Sequence, residues 1–241
     1  MSLNVEKCHV MTFSKSKNKC IYDYFLKNQL LNRVSSVSDL GVVFSIDMTF
    51  NNHIDAIDNK AYSMLGFIKR NTRDFHDSLT FKSLYTSFVR AKIEYASVIW
   101  SPYYDIHCNR LESIQKQFVL FVLKKLPSND HIGYKLLPYT DRCGLLGLQT
   151  LSRRRECASV VFARDILCGK VDCTELLSLF SLYAPQRSLR PRDLLFNPLA
   201  NTNYSFFDPV FRIQRDLNRY ANFFDFNISR AAFKKSISKV S

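Results

Sequence analysis

Apolar residues recur at helical spacing from Thr49 onward, and this pattern constrains the fold more than any other feature. It runs through three successive segments, each about 15 to 20 residues long, which is enough for helices that pack as a bundle. The apolar positions that define the three faces are Ile54, Ile57, Ala61, Met64, Leu65 and Ile68, then Leu84, Phe88, Ala91 and Tyr95, then Leu111, Ile114, Phe118, Phe121 and Val122. The spacing predicts three amphipathic helices within residues 48–126.

Residues 1–47 show strand-like alternation instead. Val10 and Thr12 alternate with their neighbours, the pair Lys27-Asn28 indicates a turn, and "DLGVVF" is typical of a short strand. These segments predict a small antiparallel sheet. Gly41 interrupts the last strand, and a glycine inside a strand marks a bulge, a bend or a close approach by another backbone.

The second half of the chain is predicted to be a linker followed by a helical region. Residues 127–150 form the linker, because two prolines and three glycines fall in "LPSNDHIGYKLLPYTDRCGLLGL" and the periodicity lapses. Within residues 151–241, Ser152 is a predicted N-cap, Gly169 a predicted C-cap, and Asp208 a cap before Pro209. The predicted fold class is α+β, mostly α.

The formal net charge of +13 favours a polyanionic partner, nucleic acid first and an anionic membrane surface second. The alternative is a generic basic surface with no such partner. The most apolar run, "FVLFVL", is far shorter than the roughly 20 residues of a spanning helix, and Lys116, Lys124 and Lys125 flank it. We therefore expect an intracellular, soluble protein without a membrane partner, either nuclear or cytoplasmic.

Residues for catalysis or metal binding are not found in any recognisable arrangement. The seven cysteines include no Cys-x-x-Cys pair, and no histidine follows Cys168 and Cys173, so neither zinc nor disulfides are expected. There is no glycine-rich phosphate loop and no G-x-S-x-G elbow. His53, His76 and His107 stand alone and are expected to be surface or structural residues. The sequence predicts no catalytic site, no metal and no small-molecule substrate.

Five stretches carry a family resemblance: "LNVEKCHVMTFSK", "DLGVVFSIDMTFNNHI", "KAYSMLGFIKR", "LYTSFVRAKIEYASVIWSPYY" and "RLESIQKQFVLFVL". In this order and spacing they resemble the reverse transcriptase of jockey-like non-LTR retrotransposons, just after its catalytic aspartates. The resemblance is dense over residues 3–123, and residues 145–241 are similar to the C-terminal extension of the same elements. It implies a palm remnant at 1–47, a thumb-like domain at 48–126 and a C-terminal extension at 151–241.

The resemblance also implies site residues. Leu40, Gly41 and Val42 match the primer-grip turn, where a glycine lets the nucleic-acid backbone approach closely; a β-bulge is the alternative. Lys7 matches a lysine that can protonate the pyrophosphate leaving group, although a solvated lysine describes it better without an active site beside it.

A thumb contacts the phosphates of the product duplex, RNA or DNA, through basic residues on one helical face. The residues predicted for this role are Lys69, Arg70, Arg90 and Lys92. The alternative is that these charges are scattered over a solvated surface. Tyr95 and Trp100 are expected in the core, because helical thumbs bury such aromatic residues.

Polymerase activity in the family depends on a Phe/Tyr-Ala-Asp-Asp motif and a further aspartate, which together hold two magnesium ions. All of these would lie N-terminal to Met1. We therefore expect a truncated fragment of an RNA-directed DNA polymerase, with no cofactor and at most non-specific binding of nucleic acid. The alternatives are a domesticated or inert helical protein, or a polymerase completed in trans. The oligomeric state stays open.

Overall fold

A computed structural model of the chain describes residues 4–14, 21–126, 133, 135–184, 193–197 and 199–238. It is 57% helix and 8% strand, with small two-stranded sheets, so the predicted α+β, mostly α class is confirmed. The chain divides into two compact units, Met1–Lys60 and Ala61–Ser241. The division falls inside the first long helix.

The strands of the first unit are β1 (His9–Val10), β2 (Phe25–Leu26), β3 (Gln29–Leu30), β4 (Asn32–Arg33), β5 (Ser36–Asp39) and β6 (Val42–Ser45). They form three separate pairs: β1 with β4 in parallel, β2 with β3 antiparallel, and β5 with β6 antiparallel. The predicted turn at Lys27-Asn28 is confirmed, since both residues have positive φ and connect β2 directly to β3. Two of the three pairs thus have the expected antiparallel direction.

Gly41 lies in the tight turn between β5 and β6. Asp39 pairs with Val42, so Leu40 and Gly41 are the whole loop, and their φ angles are 45° and 82°. A two-residue hairpin loop with positive φ at both positions has the twist that flanking strands require. Gly41 accepts this conformation freely, whereas Leu40 is strained in it. The glycine therefore marks a hairpin turn, and the alternative of a β-bulge is wrong.

The described helices are α1 (Asn51–Asn71), α2 (Ser78–Leu84), α3 (Ala91–Glu94), α4 (Ser97–Trp100), α5 (Asp105–Lys125), α6 (Tyr139–Leu145), α7 (Leu151–Leu167), α8 (Thr174–Ser178), α9 (Asn203–Phe206), α10 (Pro209–Arg219) and α11 (Arg230–Ser238). Asp208 caps α10 ahead of Pro209 as predicted, and Gly169 follows α7 with a φ of 65°. The predicted N-cap Ser152 is wrong, because the Thr150 hydroxyl accepts the Arg153 N–H. The capping residue lies two positions earlier, so α7 begins at Leu151.

The predicted apolar faces of α1 and α5 are mostly confirmed, but the face between them is wrong. The residues buried there are Phe81, Tyr85, Val89 and Ile93, whereas Phe88 and Tyr95 are 50% and 55% exposed. A π-helical segment, Tyr85–Arg90, joins α2 to α3. Each turn of this segment contains more residues than a turn of an α-helix. Residues spaced four apart, such as Phe81, Tyr85, Val89 and Ile93, therefore stay on the buried side. The 3.6-residue period assumed in the prediction therefore selected the exposed side.

Aromatic residues fill the core of the second unit next to α5. The Tyr85 ring stacks on the Phe118 ring at a centroid distance of 4.1 Å, and Phe81 meets Phe121 edge-on. Trp100 is buried as expected, while the expected burial of Tyr95 is wrong. The Trp100 indole N–H donates to the carbonyl of Tyr95 at 2.7 Å, which leaves the Tyr95 ring outside.

A second cluster of buried residues packs α7 against α10 and α11. Its members include Val160, Ala163, Leu217, Phe233 and Ile237. The predicted linker, residues 127–150, contains α6; Cys143 within this helix and Leu148 after it are buried. Residues 127–132 and 134 lie outside the described residues. The described end of this stretch is thus part of the packed second unit.

Candidate nucleic-acid interface

Within the second unit, α1 and α5 run side by side in the same direction. The Tyr62 hydroxyl is hydrogen-bonded to that of Ser113, and Lys69 Nζ lies 3.5 Å from Gln117 Oε1. The sequence separations of these pairs are 51 and 48 residues. A nearly constant separation means that the helices are parallel, so their C-terminal ends lie together.

Basic residues gather where the two helices end. We call this group the α1/α5 basic cluster; it consists of Lys69, Arg70, Arg73, Lys124 and Lys125. Burial, and then repulsion from Lys124, lower the pKa of the Lys69 ammonium below its usual value. Arg70, Arg73 and Lys124 are exposed. The cluster thus places like charges close together and presents three of them to solvent.

One member of the cluster, Lys125, also has structural contacts. Lys125 Nζ donates to the carbonyl of Thr72 at 2.6 Å and to that of Arg73, just beyond the end of α1. The same ammonium lies over the rings of Phe81 and Phe121. Cations at this position satisfy terminal carbonyls and complement the negative end of the helix dipole. Lys125 therefore holds the helix ends together.

The other two predicted thumb residues lie on a different segment. Arg90 is half-buried at the end of the π-helical segment, 3.8 Å from the carboxylate of Glu94. Glu94 is also paired with Arg154, whose Nη2 donates to Oε2 at 2.8 Å. Burial, with repulsion from Arg154 second, lowers the pKa of the Arg90 guanidinium. Lys92 is exposed on α3. Arg90 thus shares a carboxylate with Arg154, while Lys69 and Arg70 lie together at the end of α1.

In the first unit, Lys7 is exposed at the end of a single 3-10 turn, Val5–Lys7. Leu40 and Gly41 are exposed at the tip of the hairpin, and Val42 is buried. A ligand at the tip would meet the Leu40 side chain and the backbone of Gly41, but not the Val42 side chain. Contact with nucleic acid at these residues stays a prediction.

Sequence reasoning missed a buried polar network in "RLESIQKQ". Glu112 Oε1 accepts from the Tyr139 hydroxyl at 2.6 Å and from the Leu151 N–H at 3.0 Å, and Oε2 accepts from the Ser152 N–H at 3.3 Å. The carboxylate thus lies at the N-terminus of α7, where the helix dipole favours negative charge. Burial, followed by the hydrogen bond to Glu112, raises the pKa of the Tyr139 hydroxyl.

Gln115 extends the network across the helix. Its Oε1 accepts from the Tyr85 hydroxyl at 3.0 Å, and its Nε2 donates to the Tyr139 hydroxyl and to the Gln149 carbonyl, each at 2.9 Å. A buried amide is costly unless its groups are paired, and here both ends are paired. The network therefore joins the π-helical segment, α5, α6 and the start of α7.

A metal site and a membrane-crossing helix each place definite requirements on the described residues. They contain no cluster of three or more His, Cys, Asp or Glu side chains placed to hold a metal ion. None of the described helices combines the length and the apolar character that crossing a bilayer requires. His53 is buried, and its Nδ1 accepts the Val43 N–H at 3.2 Å, so it is a structural residue as expected.

No family model, curated protein or solved structure matches this chain significantly. The resemblance to jockey-like reverse transcriptases therefore stays a prediction.

Proposed function

We propose that this chain is a non-catalytic nucleic-acid-binding protein. In this proposal the second unit binds duplex phosphates through the α1/α5 basic cluster, without reading base sequence. The observation that carries it is the gathering of like charges at one end of two parallel helices. Such a cluster is unfavourable by itself, and a polyanion relieves the repulsion while releasing its own counterions.

Charge and resemblance support the same proposal. The net charge of +13 attracts any polyanion. The resemblance to a reverse transcriptase thumb implies duplex contacts by Lys69 and Arg70, which lie at this helix end. The chain contains no pair of adjacent aspartates of the kind that holds two metal ions in the family. We therefore propose binding alone, as part of a retroelement-derived polymerase, and no nucleotide transfer.

The competing interpretation is that the cluster serves only the fold. Lys125 already donates to the carbonyls after α1, and Lys69 packs over the Phe121 ring. Under this interpretation the protein is a helical protein without a nucleic-acid role. Arg70 and Lys124 separate the two interpretations, because both are exposed and neither is needed to satisfy those carbonyls.

The test is a titration of one random duplex at several salt concentrations. If about four phosphates are contacted, log affinity should fall against log salt with a slope near −3.6. Arg70→Glu with Lys124→Glu should reduce the slope by about two contacts, to near −1.8, because each lost phosphate contact removes about 0.9.

The matched control is Lys170→Glu with Lys235→Glu, which makes the same change in net charge at exposed sites on the loop after α7 and on α11. This control should keep the slope. Equal slopes for the cluster variant and the wild type would refute the assignment of the cluster. Absence of binding at low salt would leave the helical protein without a nucleic-acid role.

A further inference from the structure

A small cleft in the second unit contains a buried arginine that no described carboxylate neutralises. The cleft has a volume of about 180 Å³ and lies between the loop after α4, α5, α7 and α10. Residues that line it include Ser101, Cys108, Arg155, Ser159, Arg212 and Asp216. Arg155 projects from α7 and is only 4% exposed. It therefore brings a permanent positive charge into the cleft.

The guanidinium of Arg155 is incompletely paired. Its Nη1 is shielded from solvent and has no hydrogen-bond partner among the described residues. Its polar neighbour is the Cys108 thiol, where the positive charge opposes the rise in pKa that burial causes. A thiol is a weak acceptor and does not neutralise a guanidinium. A buried charge without a counter-ion is costly, so the site favours an anion.

The carboxylates near the cleft are held by other arginines. Glu156 accepts from Arg153 at 3.0 Å and from Arg219 at 3.1 Å, and Asp216 lies 3.5 Å from Arg219. The exposed Arg219 pairs with both carboxylates that line the cleft. Among the described residues Arg155 thus has no carboxylate partner, and its guanidinium gives the cleft an excess of positive charge.

Arg212 strengthens the positive side of the cleft. Its Nη1 donates to the Ser101 carbonyl at 3.0 Å and its Nη2 to the Val98 carbonyl, which fixes the guanidinium in place. Its Nε is shielded and has no partner among the described residues. Ser159, a buried hydroxyl one helical turn from Arg155, lines the same cleft.

We propose that this cleft binds one tetrahedral oxyanion, of the size and charge of phosphate or sulfate, with Arg155 as the main ligand. Planar guanidinium groups bind such oxygens through two charge-assisted hydrogen bonds. A volume of about 180 Å³ holds one such anion with a few waters, since a water occupies about 30 Å³. The site is separate from the α1/α5 basic cluster and does not depend on duplex binding.

Asp216 makes the binding dependent on pH. Burial raises the pKa of its carboxyl to about 6, with Glu156 adding to the rise and Arg219, Arg212 and Arg215 opposing it. As the pH falls below about 6 the carboxyl becomes neutral, and the net charge of the cleft becomes more positive. An anion that does not titrate in this range, such as sulfate, should therefore bind more tightly at pH 5.5 than at pH 7.5.

Calorimetric titration of the full chain with sodium sulfate, against sodium chloride at equal ionic strength, tests the proposal. Arg155→Met should weaken sulfate binding about tenfold or more, because a charge-assisted hydrogen bond is lost. Lys170→Met removes the same charge from an exposed site on the loop after α7, outside the α1/α5 basic cluster, and should leave sulfate affinity unchanged. Equal affinity of Arg155→Met and the wild type, or no specific heat with the wild type, would overturn the proposal.

Asp216→Asn gives a second and independent readout if Arg155→Met does not fold. This variant should bind sulfate more tightly at pH 7.5 and lose the difference between pH 7.5 and pH 5.5. Unchanged affinity and an unchanged pH dependence would overturn the proposal. Titration with glycerol phosphate then identifies the source of the anion: affinity like that for sulfate indicates a terminal phosphate group, and loss of affinity indicates a free inorganic ion.

Discussion

Replacing Glu112 with alanine should destabilise the second unit strongly. The substitution removes the acceptor of three hydrogen bonds, from the Tyr139 hydroxyl and from the N–H groups of Leu151 and Ser152. Leu151 is completely buried, so its N–H is left without a partner. A buried donor without an acceptor costs about 1–3 kcal/mol, the half-buried Tyr139 hydroxyl adds about 1 kcal/mol, and the lost charge at the helix N-terminus adds about 0.5 kcal/mol.

The sum is about 2.5–4.5 kcal/mol, a large part of the 5–15 kcal/mol of a typical domain. Urea unfolding followed by circular dichroism measures it. With a slope of about 2 kcal/mol per molar urea, the midpoint of unfolding should fall by about 1.2–2.2 M. Glu112→Gln keeps the shape of the side chain but turns an amide N–H toward a backbone donor. Its urea midpoint should therefore lie between those of the wild type and Glu112→Ala.

Glu156→Ala is the matched control for Glu112→Ala. Glu156 lies on α7, the helix whose N-terminus Glu112 contacts, and forms two ion pairs near the surface. Such pairs contribute about 1 kcal/mol or less to stability. A cost below about 1 kcal/mol for Glu112→Ala, or equal costs for the two variants, would refute the reasoning that the buried carboxylate caps α7.

Two further predictions concern the first unit. Gly41→Ala should destabilise the β5–β6 hairpin by about 1 kcal/mol, because a φ of 82° is strained for a residue with a Cβ. Leu40→Asn should stabilise the hairpin. Hydrogen exchange of the hairpin amides measures both effects, and equal exchange rates in the wild type and the two variants would contradict the turn assignment. Burial, and then the charge of Lys60, lower the pKa of His53 in the folded protein. As the pH falls, the unfolded chain therefore takes up the proton before the folded chain does. The stability of the first unit should thus fall as the pH drops below about 6.5. His53→Gln should remove that pH dependence, and a pH dependence kept by the variant would show that another group causes it.

The sequence predicted α1 and α5 well because both are regular. Ile54, Leu65 and Ile68 follow a single 3.6-residue period, as do Leu111 and Ile114, and all are buried. The predicted buried face of the segment from Phe81 to Ile93 was wrong because the helical period changes inside this segment. A π turn leaves no sign in composition, although the four-residue spacing of Phe81, Tyr85, Val89 and Ile93 was visible in the sequence and would have been the signal.

The candidate site was only partly predictable for a different reason. The resemblance singles out Lys69 and Arg70 by their position in a thumb-like segment, whereas in the sequence the pair Lys124-Lys125 only flanks an apolar run. Their proximity to Lys69 follows from the parallel packing of α1 and α5, which periodicity does not fix. Glu112 and Gln115 resemble surface residues in the sequence, since polar side chains on a helix are usually exposed. Their burial depends on partners 24 or more residues away in the sequence.

The Gln115 network has a consequence for how the second unit unfolds. The Gln115 amide is bonded to side chains or carbonyls from three other segments, one in the thumb-like region and two within the predicted linker. Glu112, one turn earlier on α5, extends these bonds to the start of α7. Breaking any one of these segments away leaves buried polar groups of the others unpaired. Partial opening is therefore nearly as unfavourable as complete opening, and the thumb-like region and the start of the C-terminal region are expected to melt together as one cooperative block.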